Sequence, residues 1–545
     1  MQGKQERVVK KPARTPAYVS PNQLTICGFE TPFEQALTTD NRWVKLSRLL
    51  PWDRMVSQYN KSFRSPEGRP PINGRIILGA VIIKHILKLS DRETIQQIRE
   101  NVFMQYFLGY SSFTNEVPFS PTLFVEIRER LTLEVLGRIS ELIITHHLDK
   151  DFLQGSDNEK QKGENELQQS NNTEASQPKE VVGLTAVISV ENPDVHQENP
   201  KEDESRKTEV PHKGKLLMDA TVAPQNITFP TDLKLLNAAR KKSEELIETL
   251  YNKELHGGVK PRTYRNVARK EFLNTAKKKN KSAKQLYKAN GQQLRFLRRN
   301  LSHIDKLLQA YPRFPLSPKE QKYLMVLHTV YEQQYEMHST RTKRIDDRIV
   351  NIHQPHVRPI VRGKDGKKVE FGSKLQVSLS DGFTLIDKLS WDNFNEGGCL
   401  KESVELYKQR LGYYPEKVLA DKIYCTRENR KSLKELGIEL RAKPLGRPSI
   451  AAALSNQVSP GERNPIEGKF GQAKAGYDME CIKAKLRTTS ESWIASIVLV
   501  LNLVNLMRVS LCLLKSISDT VIVLIQMISP WATRKIGRPS LAPSC

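Results

Sequence analysis

Short apolar runs alternate with helix-forming stretches between residues 369 and 443, and this alternation limits the fold more than any other feature of the sequence. The pattern predicts strands at 369–379, 383–391, 417–420 and 438–443, with helices at 398–411 and 426–436. Strands that alternate with helices of this length indicate an α/β layer, in which helices cover a mixed sheet. We expect the apolar stretch after residue 488 to supply a further helix over one face of that sheet.

Within that stretch, residues 492–507 contain Asn502 and Asn505 and are followed by Arg508. The uninterrupted apolar length of about 20 residues that a membrane-spanning helix needs is therefore not reached. The sequence predicts a buried helix here and no membrane as a partner.

The region 72–147 has the pattern of three amphipathic helices. Their start signals are Asn73 before the first, a Ser90/Glu93 capping box before the second and Ser120-Pro121 before the third. A bundle of this size fits two interpretations equally well, a DNA-binding helix-turn-helix unit or a plain dimerisation bundle.

Changes in composition divide the chain. Residues 154–212 are rich in Glu, Gln, Asn, Ser and Pro and low in aromatics, which is typical of a disordered linker. We expect a basic disordered arm (1–30), a helical DNA-binding or dimerisation domain (31–150), the linker (151–212), an α/β core in two pieces (213–231 and 369–515), a basic helical insertion (232–350) and a C-terminal tail (516–545).

Positive charge is the main clue to a partner. The chain has 86 Lys and Arg against 61 Asp and Glu, a formal charge of +25, which favours a polyanion. Residues 253–306 hold sixteen of the basic residues and three acids, with aromatic residues interleaved. Such a run often marks only a solvated face, but the aromatic residues favour a surface that binds DNA. The candidate DNA-binding residues in it are Lys277, Lys278, Lys279, Arg298 and Arg299.

Six scattered cysteines form no C-x-x-C pair, so the sequence indicates neither a disulfide framework nor a zinc site. A reducing compartment fits this usage best. We expect a cytoplasmic protein associated with the nucleoid.

Acidic residues follow two short apolar runs. Asp219 comes after Leu216-Leu217-Met218, and Asp421 comes after 417–420. Carboxylates at strand ends project into the crevice at the edge of an α/β sheet, where ligands bind. Asp392 and Glu396 also follow a strand and rank second, because their surroundings are typical of a loop.

A third acid, Glu467, has two interpretations. Asn464, Pro465 and Glu467 match the start of a helix, with Asn464 as N-cap and Glu467 in the first turn, which needs no chemistry. Lys474, seven residues on, would share a helix face with Glu467, which suits a site. The two interpretations are compatible, because a helix N-terminus keeps a carboxylate ionised.

Three carboxylates in a basic chain suit phosphodiester chemistry. Two Mg²⁺ ions activate the attacking hydroxyl and stabilise the leaving oxygen, and a few carboxylates are enough to hold them. The sequence therefore predicts a site of Asp219, Asp421 and Glu467 with two Mg²⁺ ions, or Mn²⁺ in their place.

The same residues resemble the insertion-sequence DDE transposases, in the branch whose last motif reads R-x3-E-x6-K. Here that motif is Arg463, Glu467 and Lys474, with both spacings matched. The blocks LLMDATVAPQNITFPTDLKLLN, LADKIYCTRENRKSLKELGI and LSDRETIQQIRENVFMQYFLG are also similar to the family. Pro460 stands where the family often has a tyrosine, and the large insertion lies between the first two acids.

The resemblance implies an RNase H-like fold, a mixed sheet flanked by helices. It implies that Asp219 on the first strand, Asp421 after the fourth and Glu467 on a following helix bind the metal ions, and that Arg463 and Lys474 hold DNA phosphates. It also implies a homodimer that synapses two ends of double-stranded DNA, cuts there and joins the 3′-hydroxyls to a target. Two rivals remain open: a DNA-binding regulator without catalysis, and a metal-dependent nuclease.

Overall fold

The computed structural model describes residues 36–63, 71–147, 211–361, 369–442 and 460–532. The predicted basic arm, residues 151–210 of the predicted linker and the last part of the predicted tail lie outside these ranges. Pro460 and residues 511–532 are described by their backbone alone.

The chain forms a mixed α/β structure. The described strands are β1 (Lys215–Pro224), β2 (Arg358–Val361), β3 (Val369–Ser380), β4 (Phe383–Ser390), β5 (Lys417–Leu419) and β6 (Glu439–Arg441). The N-terminal helices are α1 (Arg42–Leu49), α2 (Trp52–Asn60), α3 (Gly74–Leu87), α4 (Asp91–Glu100), α5 (Val102–Leu108), α6 (Leu123–Arg130) and α7 (133–147). The insertion holds α8 (Asp232–Leu250), α9 (Lys253–His256), α10 (Arg265–Ala276), α11 (Ala283–Gln309) and α12 (Pro318–Ser339). The last helices are α13 (Leu400–Leu411), α14 (Arg427–Glu435), α15 (Pro460–Gly471) and α16 (Arg487–Ala532).

The six strands form one curled mixed sheet in the order β2-β3-β1-β5-β6. The long strand β3 pairs antiparallel with β1 along one edge, and with both β2 and β4 along the other. On its other side β1 pairs parallel with β5, which pairs parallel with β6. The predicted strands and helices of the alternating region are all present, with ends that differ by up to two residues.

The region 72–147 contains five helices and not the predicted three. Asn101 ends α4 in an extended conformation, and its side chain accepts hydrogen bonds from the first turn of α5, so one predicted helix becomes two. The predicted start at Ser120-Pro121 is also displaced, because the Ser120 and Thr122 hydroxyls bond to each other and α6 begins at Leu123. The caps at Asn73 and Ser90 are confirmed.

The N-terminal helices share a hydrophobic core with the sheet. Residues from α1 to α7 pack in one cluster with Phe383 of β4 and with Leu499 and Leu503 of α16. Among the described residues, one segment, 487–510, has the length and composition to cross a membrane. Of the apolar stretch within this segment, 72% is buried inside the protein. Helix α16 continues to Ala532, into the region predicted as a tail.

A separate core holds the insertion together. Helices α8, α11 and α12 bury leucines, isoleucines and valines against one another. Inside this bundle Arg240 of α8 is 1% exposed and bonds to Glu244, Asn237 and Gln293. A buried guanidinium with partners at each nitrogen fixes how α8 and α11 meet.

Candidate active site

The pairing of β1 and β5 brings two predicted acids together. Leu217 is in register with Leu419 in this parallel pair, so the same register carried two residues further sets Asp219 opposite Asp421. Asp219 lies inside β1 and not at its end, because β1 continues along β3 to Pro224. The prediction that Asp219 follows the end of its strand is therefore wrong. Asp219 does lie just past the last residues of β1 that pair with β5.

A single guanidinium bridges the two carboxylates. Nη2 of Arg463 lies 3.6 Å from Oδ2 of Asp219, and Nη1 lies 3.2 Å from Oδ1 of Asp421. The side chain of Asp219 is 19% exposed, that of Asp421 is 55% exposed, and that of Arg463 is 23% exposed. The sheet and α15 together therefore form a place where two acids converge on one positive charge.

Burial raises the pKa of the Asp219 carboxyl above its ordinary value. Its hydrogen bond from the Ala220 amide and the charge of Arg463 act in the opposite direction, while the charges of Glu396 and Asp421 add to the rise. A cation at this place stabilises the ionised form of Asp219, so the pair of acids favours a positive partner.

Helix α15 places Glu467 differently from its predicted cap position. The helix begins at Pro460 and contains Pro465, so Glu467 is not in its first turn and Asn464 is not its N-cap. Ile466 of this helix is buried, and α15 packs against β1, which explains why tertiary packing extends the helix backwards past the local start signal. The predicted effect of a helix N-terminus on Glu467 is therefore wrong, because Glu467 lies about two turns inside α15.

Glu467 is exposed, one turn beyond Arg463 on the same helix. Lys474 follows within a π-helical turn, Gln472–Gly476, which shifts its direction relative to an ideal helix. Among the described residues no group of three or more His, Cys, Asp or Glu side chains is close enough to hold a metal ion.

The second-ranked acids have other partners. Glu396 lies 2.9 Å from the ammonium of buried Lys374, and Asp392 lies 3.7 Å from Nε of Arg358. Glu396 is nevertheless close enough to influence Asp219. Glu396 thus borders the site, whereas Asp392 pairs with Arg358 and is exposed to solvent.

The predicted basic residues of the insertion divide into two groups. Lys277, Lys278, Lys279 and Arg298 are exposed. Arg299 donates a hydrogen bond to the Thr263 carbonyl over 2.8 Å and stacks 4.4 Å from the Tyr264 ring centre, so it holds the loop before α10. Sequence reasoning missed this role and the contact of Arg463 with the two acids, since both depend on segments far apart in the chain.

Two family models match parts of this chain. A family model described as "Transposase domain (DUF772)" matches residues 31–130, and one described as "Transposase DDE domain" matches residues 418–504. The second range contains Asp421, Arg463, Glu467 and Lys474, whereas Asp219 lies outside both.

A Rhizobium meliloti protein, "Uncharacterized protein ORF8 in nfe locus", is 32% identical over 88 residues. The match covers 16% of this chain and 42% of that relative, so it spans less than half of the relative's length. No solved structure matches the chain.

The two family matches support an insertion-sequence DDE transposase. The resemblance to that family is confirmed. The family acts on DNA, which agrees with the excess of positive charge.

Proposed function

We propose that this chain is a DNA transposase that cleaves at the ends of an insertion sequence and joins the freed 3′-hydroxyls to target DNA. The observation that carries the proposal is the convergence of Asp219 and Asp421 on one cation, Arg463, beside a region that matches a transposase DDE domain. Glu467, on the helix that supplies Arg463, is the third proposed catalytic acid.

An RNase H-like core is part of the proposal. The antiparallel strands β4, β3 and β1 lie beside the parallel strands β5 and β6. With the short β2 set aside, Asp219 is on the first core strand, Asp421 follows the fourth, and Glu467 is on a later helix. This is the arrangement that the resemblance implies.

Two of the three acids, Asp219 and Asp421, are placed to hold a divalent metal ion, which DDE transposases generally use. Glu467 does not form a group with them among the described residues. Carboxylate oxygens are the ligands Mg²⁺ prefers, and the bridging guanidinium marks a place that already stabilises positive charge. Asp219 and Asp421 would hold the metal, with Glu467 as the third ligand. Two bound Mg²⁺ ions, or Mn²⁺, would activate the attacking hydroxyl and stabilise the leaving oxygen of the phosphodiester.

Arg463 has two roles in this account. Without DNA it neutralises the two carboxylates. With DNA it turns to a phosphate beside the scissile bond, because a guanidinium matches phosphate oxygens with paired hydrogen bonds. Lys474 contacts a second phosphate. When DNA binds, Arg463 leaves the two carboxylates and pairs with the phosphate, so that Asp219 and Asp421 are free to act.

In this proposal the protein forms a homodimer that synapses two DNA ends in the cytoplasm, without a membrane. The basic insertion adds DNA contacts through Lys277, Lys278, Lys279 and Arg298. Arg299 supports this surface from behind.

The test uses the purified full chain, Mg²⁺ and a labelled duplex containing the DNA that flanks its gene. Cleaved strands followed by joined products support the transposase. Cleavage without joining indicates the nuclease, and binding without metal-dependent cleavage indicates the regulator.

A further inference from the structure

Helix α10 lies on the outside of the insertion bundle. Of its side chains only Ala268 is fully buried, whereas α8 and α11, on which it packs, each bury many residues. A helix held by so few apolar contacts leaves most of its surface for another partner.

The free face of α10 is polar and basic. Residues Asn266, Arg269, Lys270, Leu273, Asn274 and Lys277 line an open hollow of about 500 Å³. Their spacing of three and four residues places them along one side of the helix, opposite Ala268. Within the described part of the chain, Arg269, Lys270 and Lys277 have no ion-pair partner, so their charge faces solvent.

Hydrogen bonds on the inner side of α10 fix its position on the bundle. The amide of Gln293, buried in α11, donates to the Ala268 carbonyl, and the same side chain accepts from Arg240 in the bundle interior. On the other side Arg299 clamps the loop before α10 through Thr263 and Tyr264. These contacts hold the helix from behind and leave its basic face open.

The chemistry of this face matches duplex DNA. An α-helix is about 10–12 Å in diameter with its side chains and so fits the major groove, which is about 12 Å wide. The 12 residues of α10 would lie along about 18 Å of that groove. Arginine and lysine bind guanine edges there, and asparagine binds adenine. The exposed lysines at 277–279 extend the face toward the phosphate backbone.

We infer that α10 enters the major groove of double-stranded DNA and reads base edges with Arg269, Lys270 and Asn274. This inference rests on the proposed function for the identity of the DNA as a transposon end. It assigns the insertion a sequence-reading role beside its phosphate contacts, and it makes Arg299 a positioning residue for α10.

The experiment measures which sequences the full chain enriches from a pool of random 30-base-pair duplexes, with EDTA present so that no strand is cut. The affinity for the enriched duplex is then measured by fluorescence anisotropy. Arg269→Ala and Asn274→Ala are each expected to lower that affinity by roughly 5- to 100-fold and to relax the enriched sequence at one position.

Two further variants separate base reading from charge and from misfolding. Arg269→Lys keeps the charge, so its affinity for unrelated DNA is expected to stay the same while its preference for the enriched sequence falls. Lys319→Ala/Lys322→Ala removes two exposed charges from α12 and is expected to keep the preference. Circular dichroism and thermal melts of each variant report folding.

Unchanged enrichment and affinity in Arg269→Ala, Asn274→Ala and Arg269→Lys would overturn the inference, whatever the chain does to DNA with Mg²⁺. A wild-type chain that shows the expected sequence preference through α10 but no metal-dependent cleavage would instead refute the proposed function. The two failures are therefore distinguishable.

Discussion

Among single residues, Arg463 connects the two acids of the candidate site. Its guanidinium lies between Asp219 and Asp421, where we propose that a metal ion binds. Two partly exposed ion pairs of this kind together contribute about 1 kcal/mol. In the proposed site a metal ion and Arg463 compete for the same carboxylate oxygens.

We expect Arg463→Gln to bind Mn²⁺ about fivefold more tightly than wild type in the absence of DNA, as measured by isothermal titration calorimetry. Arg441→Gln is the control, because Arg441 pairs with Glu439 and Glu462 and not with the two acids. Equal or weaker Mn²⁺ binding by Arg463→Gln would contradict competition at this site.

His356 makes the junction between the insertion and the sheet sensitive to acid. Burial, with nearby Arg487, Lys322 and Arg358, lowers the pKa of His356 to about 4, and its ring packs edge-on against Trp391. The unfolded chain takes up the proton at a higher pH than the folded one. Stability from this group is therefore lost as the pH falls from about 6.5 toward 4.

We expect His356→Gln to lose less stability than wild type between pH 7 and pH 4, as measured by urea unfolding. His328→Gln, which changes a histidine on the surface of α12, is the comparison and is expected to leave the acid sensitivity in place. Identical pH profiles for His356→Gln and wild type would show that this ring does not titrate as described.

The three acids illustrate what the sequence could predict about the site. Local apolar runs marked Asp219 and Asp421, and a motif of fixed spacing marked Glu467. The meeting of Asp219 and Asp421 depends on the register of β1 with β5, and the whole insertion separates these two strands in the chain. No local pattern encodes such a register, so the contact of Arg463 with two acids could not be predicted.

At the scale of elements, an ion-pair cluster fastens the N-terminal helices. Asp91 at the start of α4 lies 3.0 Å from Nζ of Lys84 and 2.9 Å from Nη1 of Arg128, and both cations are close to the ring of Trp493 in α16. Lys84 is 2% exposed. Removal of the shared carboxylate leaves two poorly hydrated cations without a counter-charge.

We expect Asp91→Ala to lower the free energy of unfolding by about 3 kcal/mol, as measured by urea titration. Glu129→Gln on α6, an exposed position beside Arg128, is expected to change it by less than about 0.5 kcal/mol. A loss below 1 kcal/mol for Asp91→Ala would mean that this cluster does not stabilise the packing of α4 and α6 against α16.

Helix boundaries show where local signals are enough and where packing overrides them. The Ser90 capping box starts a helix as predicted, because its two reciprocal hydrogen bonds need no distant partner. Asn464-Pro465 carries an equally good start signal, yet α15 already begins at Pro460 and packs on β1. A cap decides a helix end only where tertiary contacts do not extend the helix past it.

At the scale of the whole molecule, the sheet and the N-terminal helices form one body. The alternation after residue 369 was enough to predict the α/β layer. The N-terminal helices were predicted as a separate domain, but they share a core with α16 and β4. The apolar pattern of a helix shows which face is buried and does not show which element covers it. The insertion has its own core and carries the basic face of α10.

We propose above all that Asp219, Asp421 and Glu467 act together on DNA. The most direct measurement compares Mg²⁺-dependent strand joining by wild type and by Asp219→Asn, Asp421→Asn and Glu467→Gln, with Asp392→Asn as the matched acid control. We predict that each of the three lowers joined product at least about 100-fold while DNA binding persists, and that Asp392→Asn joins like wild type. Wild-type joining by any of the three would contradict that residue's role, and wild-type joining by all of them would contradict the account.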